Sequence, residues 1–82
     1  MSVNKVILLG NIGQKPEFKA LPFGEVCNFT LATSEYWKDK ETNEKKERTQ
    51  WHKIVIFNKN LITLVKNHCS QGDKIYVEGK LE

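Results

Sequence analysis

The stretch WHKIVIFNKNLITLVKNHCSQGDKIYVEGKL, running from Trp51 to Leu81, switches its hydrophobic period twice, and the two switches decide the fold. From Trp51 to Phe57 the period is twofold, placing Trp51, Lys53, Val55 and Phe57 on one face of a strand and His52, Ile54 and Ile56 on the other. Leu61, Leu64, Val65 and His68 then recur at helical spacing, with Asn58 or Asn60 available as a cap and Gly72 as a stop. From Lys74 to Leu81 the twofold pattern returns, Ile75, Val77 and Leu81 being opposed to Tyr76, Glu78 and Lys80. One short amphipathic helix is therefore held between two strands.

Upstream of this segment the chain reads as strands throughout. Between Val3 and Leu9 apolar residues occupy both alternating sets, Val3, Ile7 and Leu9 against Val6 and Leu8, which suits a strand covered on both faces. Gly10 to Gly13 and then Pro16 end or bend it, and a bent strand can continue through Glu17 to Leu21 before the turn residues Pro22, Phe23 and Gly24. Val26 to Thr33 is the second strand, and its outer half carries Glu35, Tyr36 and Trp37 into the segment from Lys38 to Gln50. That segment is dense in charge and lacks any large apolar residue, so it is predicted to be a long mobile hairpin loop. The order is strand, strand, strand, helix, strand, without repeat, linker or low-complexity segment. A single helix between strands three and four of an all-β chain is the layout of an OB-fold, a five-stranded Greek-key barrel, here with four strands countable and a fifth missing.

The chain of 82 residues allows one small domain, residues 1–82, too small for a deep cleft between two lobes. Its 39% hydrophobic and 28% charged residues exclude wholesale disorder, and a net charge of +3 gives a mild bias toward polyanions. The longest early apolar run, Val6 to Leu9, is too short for a signal peptide or a membrane span, so a cytoplasmic protein is expected. Cys27 and Cys69 form no CxxC pair, which signals neither a disulfide framework nor a zinc site; free, buried thiols are expected, with no metal or cofactor. The sequon Asn28-Phe29-Thr30 falls inside a strand and carries no functional weight.

Catalysis finds no support, because the candidate nucleophiles and acids do not cluster with a base, and His52 and His68 stand alone in a strand and a helix. Gly10 and Gly13 lack the further glycine, lysine and helix of a phosphate loop and read as bend residues. What stands out is aromatic residues interleaved with lysines: Trp37 and Lys38 before the charged stretch, then Trp51, Lys53, Phe57 and Lys59 after it. Strand parity puts Trp51, Lys53 and Phe57 on one face. A symmetric connection places Trp37 across from Trp51, whereas an offset of one residue turns it to the other side. Flat rings offer stacking worth about 1 to 3 kcal/mol per base while lysines follow the phosphates, a combination suited to single-stranded nucleic acid. Duplex DNA hides its base faces in the stack. Core packing is the competing use of Trp51 and Phe57. Trp37 favours binding, since its neighbours Lys38, Asp39 and Lys40 would not bury it; Phe18, Phe23 and Phe29 are assigned mainly to packing, and Tyr36 and Tyr76 stay unassigned. Lys45, Lys46 and Arg48 can draw in phosphates.

Four blocks, VNKVILLGN at Val3 to Asn11, NFTLATSEYWKD at Asn28 to Asp39, TQWHKIVIF at Thr49 to Phe57 and DKIYVEGKL at Asp73 to Leu81, closely resemble the bacterial single-stranded DNA-binding protein family. The resemblance spans nearly the whole chain. It implies an OB-fold, a homotetramer built as a dimer of dimers, and sequence-independent coating of single-stranded DNA in replication, recombination and repair, in the cytoplasm and at the nucleoid. Carried over by position, Trp37, Trp51 and Phe57 match stacking aromatics and Lys5, Lys53 and Lys59 match basic contacts. His52 matches an oligomer-interface position, and the strand from Val3 to Gly10, with Val3, Lys5, Ile7 and Leu9, matches the segment that pairs between subunits. The family pattern continues past Glu82 with a basic segment bearing another Trp, a hairpin, a fifth strand, a linker and an acidic tip that recruits replication and repair proteins. None of these has a counterpart here, so a truncated product or incompletely represented chain is expected, with an exposed barrel edge. Gln71 stands where a lysine is common. The alternative function is an oligomerising interaction module that has lost its nucleic-acid affinity.

Overall fold

A computed structural model describes all 82 residues. The strands are β1 (Val6–Ile12), β2 (Glu17–Leu21), β3 (Gly24–Lys38), β4 (Lys45–Ile56) and β5 (Lys74–Gly79), with one helix, α1 (Lys59–His68), between β4 and β5. The stretch expected to be one bent strand is thus two, divided around Gly13 to Pro16, so five strands are counted where the alternation gave four. All pairings are antiparallel: β3 takes β2 and then the end of β1 along one edge and β4 along the other, and β5 lies on the far edge of β1. This is the all-β OB layout in an open form. β4 and β5 do not pair with each other, which leaves the exposed edges anticipated from the sequence.

Alternation decides which side is core. On β1, Val6, Leu8, Gly10 and Ile12 turn inward while Ile7 and Leu9 stay exposed. Ile12, Cys27, Phe29, Leu31, Ile62 and Val65 form the buried cluster, with Leu8, Ile54, Ile56, Cys69, Ile75 and Val77 packed around it. At Gly10 a β-carbon would collide with the carbonyl oxygen of Ala32, so glycine lets β1 cross closely over β3.

The helix begins where the sequence placed it. Asn58 caps it, its side-chain oxygen accepting from the amides of Asn60 at 2.9 Å and Leu61 at 3.1 Å, an arrangement worth about 0.5 to 2 kcal/mol. The buried stripe is Ile62 and Val65, each contributing about 1.5 to 3 kcal/mol. Leu61, Leu64 and His68, expected on the inner stripe, are exposed. The helix also ends earlier than Gly72: Cys69 is its extended C-cap, and Gly72, at φ 91°, forms the turn into β5. Lys66 ties α1 to the sheet through Glu25, with contacts of 2.7 and 2.9 Å. Both cysteines are free; Cys27 is buried as expected, whereas Cys69 is only half-buried. Phe29 packs in the core, but Phe18 and Phe23, also assigned to packing, are exposed: Phe18 on β2 with the Lys66 ammonium 5.2 Å from its ring centre, and Phe23 in the β2–β3 turn, since a tight turn at the sheet margin offers no interior to enter.

The largest correction concerns Lys38 to Gln50. Most of it is not a mobile loop. β3 and β4 stay paired out to Lys38↔Lys45, so only residues 39–44 connect them. The missing apolar residues suggested a loop, yet an antiparallel ladder satisfies its own backbone groups and can project into water without a buried face. The arm stretches the molecule to 56 Å in its longest dimension and raises the radius of gyration to 15.9 Å, against about 12 Å for a compact domain of this length.

Candidate nucleic-acid interface

The register of the β3–β4 hairpin determines which rings can act together. Trp51 pairs with Ala32, Lys53 with Thr30 and Val55 with Asn28, and these rungs, followed by Phe57, form one continuous outward face. Trp51 is 64% exposed and Phe57 60% exposed, so neither ring belongs to the core. The competing packing role is excluded for both.

Trp51 is nevertheless held in place. Its ring lies against the backbone of Gly13, where a β-carbon would collide with Cζ3 of the indole and stand 2.8 Å from Thr30 Oγ1. Gly13 donates its amide to the Thr30 carbonyl at 2.8 Å and accepts from the Gln71 side chain at 3.2 Å. Gln71, noted in the sequence only for not being a lysine, therefore anchors the loop on which the ring rests. Gly13, called a bend residue, has a second duty as the seat of the indole.

Beside this seat runs an open groove lined by Gln14, Lys15, Glu17, Asn28, Thr30 and Lys53, with a volume of about 340 Å³. Thr30 Oγ1 is buried there with no hydrogen-bond partner. Lys15 was not singled out in the sequence, because its only local signal is a lysine next to a proline; the bend between β1 and β2 brings it alongside Lys53. Neither these two lysines nor Lys59 takes part in an ion pair. Lys59 is the first residue of α1, whose first turn holds no acid. A cation is disfavoured at that end of a helix, so stability does not account for it.

Trp37 lies elsewhere. It pairs with Lys46, and that rung belongs with Leu31↔His52 and Phe29↔Ile54, on the face opposite to Trp51. The sequence left both sides open; Trp37 is on the other side, and it pairs five positions along β4 from Trp51 rather than across from it or one residue away. Beyond the core, however, this face is open, and Trp37 remains 46% exposed, with the Arg48 guanidinium 6.0 Å from its ring centre. His52 is half-buried, 2.8 Å from the Thr33 hydroxyl through Nε2.

A second exposed face lies across the sheet on β1 and β5. Val3, Ile7 and Leu9 are exposed, Ile7 pairing with Glu78 and Leu9 with Tyr76. Lys5 reaches Glu78 at 3.3 Å, and Tyr76 donates to the same carboxylate at 3.1 Å. This bond to Glu78 raises the phenol's pKa from its ordinary value, by holding its proton. Only Asn11 and Ile12 of β1 pair with β3, so the edge from Val6 to Leu9 on that side pairs with no strand. Among His, Cys, Asp and Glu side chains no group of three is placed to hold a metal ion, and no helix is long and apolar enough to cross a membrane.

Comparison with known proteins agrees with this geometry. The profile described as the Single-strand binding protein family matches residues 3–82. A single-stranded DNA-binding protein of Rickettsia typhi is 48% identical over 82 residues, covering 99% of this chain and 54% of that protein. The chain thus spans about half the length of the curated relatives it matches. Among solved structures, the Plasmodium falciparum SSB complex with ssDNA superimposes with a TM-score of 0.87 at 41% identity, covering all of this chain and 73% of the other. The small single-stranded DNA-binding protein of Streptomyces coelicolor gives 0.82 at 26% identity, with 100% and 73% covered.

Proposed function

The chain belongs to the single-strand binding protein family, and from that premise we propose that it binds single-stranded DNA without sequence preference. Bases stack on Trp51 and Phe57, and phosphates follow Lys53 and Lys59, with Lys15 across the groove. The observation that carries this reading is the Trp51 indole: exposed, seated on Gly13 and flanked by lysines free of carboxylate partners. A seated ring meets a base already oriented, so little rotamer entropy is lost on binding. Trp37 joins the contact from the opposite face, which requires the strand to pass around the arm. The role is binding, with no reaction catalysed and no cofactor.

The same reading assigns the face of Val3, Lys5, Ile7 and Leu9, together with His52, to self-association as a homotetramer, a dimer of dimers. The free edge of β1 and its exposed apolar residues support this. Lys5 serves either surface, being half of an ion pair that a phosphate can replace. Service in replication, recombination and repair, in the cytoplasm and at the nucleoid, and recruitment of other proteins through an acidic tail are proposed for the longer family pattern.

Titration with an oligothymidylate at low and high salt tests the proposal, because the two tryptophans report on contacts they make. Strong quenching that weakens with salt is expected. Unchanged fluorescence in a folded sample would refute binding by these residues and leave assembly as the role of the chain.

A further inference from the structure

We infer that Tyr36 is a further base-stacking surface, lying on the Trp51 face of the arm; the inference rests on the binding reading above. In the ladder Tyr36 pairs with Glu47 and Trp51 with Ala32, an offset of four residues on each strand, which returns both rings to the same side. Trp37, the more obvious candidate by residue type, is one position off and points the other way. Tyr36 is 74% exposed, more than either tryptophan.

Its surroundings give packing no purpose for the ring. On its face the neighbouring rungs are Lys38↔Lys45 outward and Ser34↔Thr49 inward, all polar. The Ser34 and Thr49 hydroxyls are joined at 3.0 Å, and Ala32 follows, so the floor between Tyr36 and Trp51 consists of small side chains. A strand lying on it meets no obstruction over the roughly 13 Å between the two rungs, a distance that a few nucleotides cover. The pattern near Trp51 is repeated here: a ring, then a lysine rung, with Lys38 and Lys45 placed for the phosphates. Glu47 beside the ring repels phosphate and can accept from exocyclic amino groups, which places a base rather than a phosphate over this rung.

Tyr36→Ala and Tyr36→Phe, each titrated with oligothymidylate as the unaltered chain is, separate stacking from a hydroxyl contact. Loss of the ring is expected to weaken binding by about 5- to 150-fold, while the phenylalanine variant binds like wild type. The slope of affinity against salt should not change, since no charge is removed. Photocrosslinking of the unaltered chain to an oligonucleotide containing 5-iodouracil should mark Tyr36, a readout that does not depend on the variant folding. If the unaltered chain binds but Tyr36→Ala binds equally well and no crosslink forms at Tyr36, this inference alone is overturned. If the unaltered chain does not bind at all, the underlying reading falls, and this one with it.

Discussion

The inner and outer halves of the β3–β4 hairpin form one unbroken ladder, yet they answer to different forces. In the inner half Cys27, Phe29 and Leu31 are buried under Ile12 and α1; in the outer half, from Ser34 to Thr49, no side chain is buried. The core stabilises the first half by removing apolar surface from water. The second half is an extension of it, held by backbone hydrogen bonds and cross-strand pairs. Freed from packing, its side chains can be chosen for what they present to a ligand.

The strongest attempt to break this contrast is Leu31→Ala. Leu31 is fully buried, so the variant is expected to lose about 2 to 5 kcal/mol, read from urea denaturation. A loss below about 1 kcal/mol would show that the inner half is not the structural one. Next comes Trp51→Ala, expected to weaken oligothymidylate binding by about 1 to 3 kcal/mol while circular dichroism stays native. Unfolding instead would return Trp51 to the core. Lys59→Ala is subtler: the salt slope should fall by about 0.7 for a single-strand contact, and stability should rise by a few tenths of a kcal/mol as a cation leaves the helix N-terminus.

The smallest effect concerns Cys27. Burial, followed by the nearby Cys69 and Glu25, raises its thiol above the ordinary 9.0. Above that pH the unfolded chain releases a proton that the folded chain keeps, so the contribution is whole below about pH 9 and is lost as pH rises. Cys27→Ala should remove this alkaline component from the stability profile; an unchanged slope would show that the thiol is not sheltered.

Much of the fold was legible because it is written in short-range periods. The strand at Trp51 to Phe57, the Asn58 cap and the alternation of β5 were all read from neighbours a few residues apart. Trp51 and Lys53, with Phe57 just past the end of β4, could be grouped for the same reason, since they share one parity along the chain. The seat at Gly13, the brace from Gln71 and the arrival of Lys15 could not be read, because each joins segments distant in sequence across a bend.

By itself, then, the sequence determined the helix and the strands on either side of it, the family and the outward set on β4, but neither the break between β1 and β2 nor the arm beyond Thr33. Only the tertiary structure decided which ring of the pair Tyr36 and Trp37 shares a face with Trp51. That choice lies in the turn: Asp39 accepts from the Glu41 amide through its side chain, Asn43 takes φ 64°, and the Asp39 amide donates to the Glu44 carbonyl, closing the ladder at Lys38↔Lys45. A closure shifted by one residue would exchange the two rings, because strand periodicity is local while register is set by how two strands are joined.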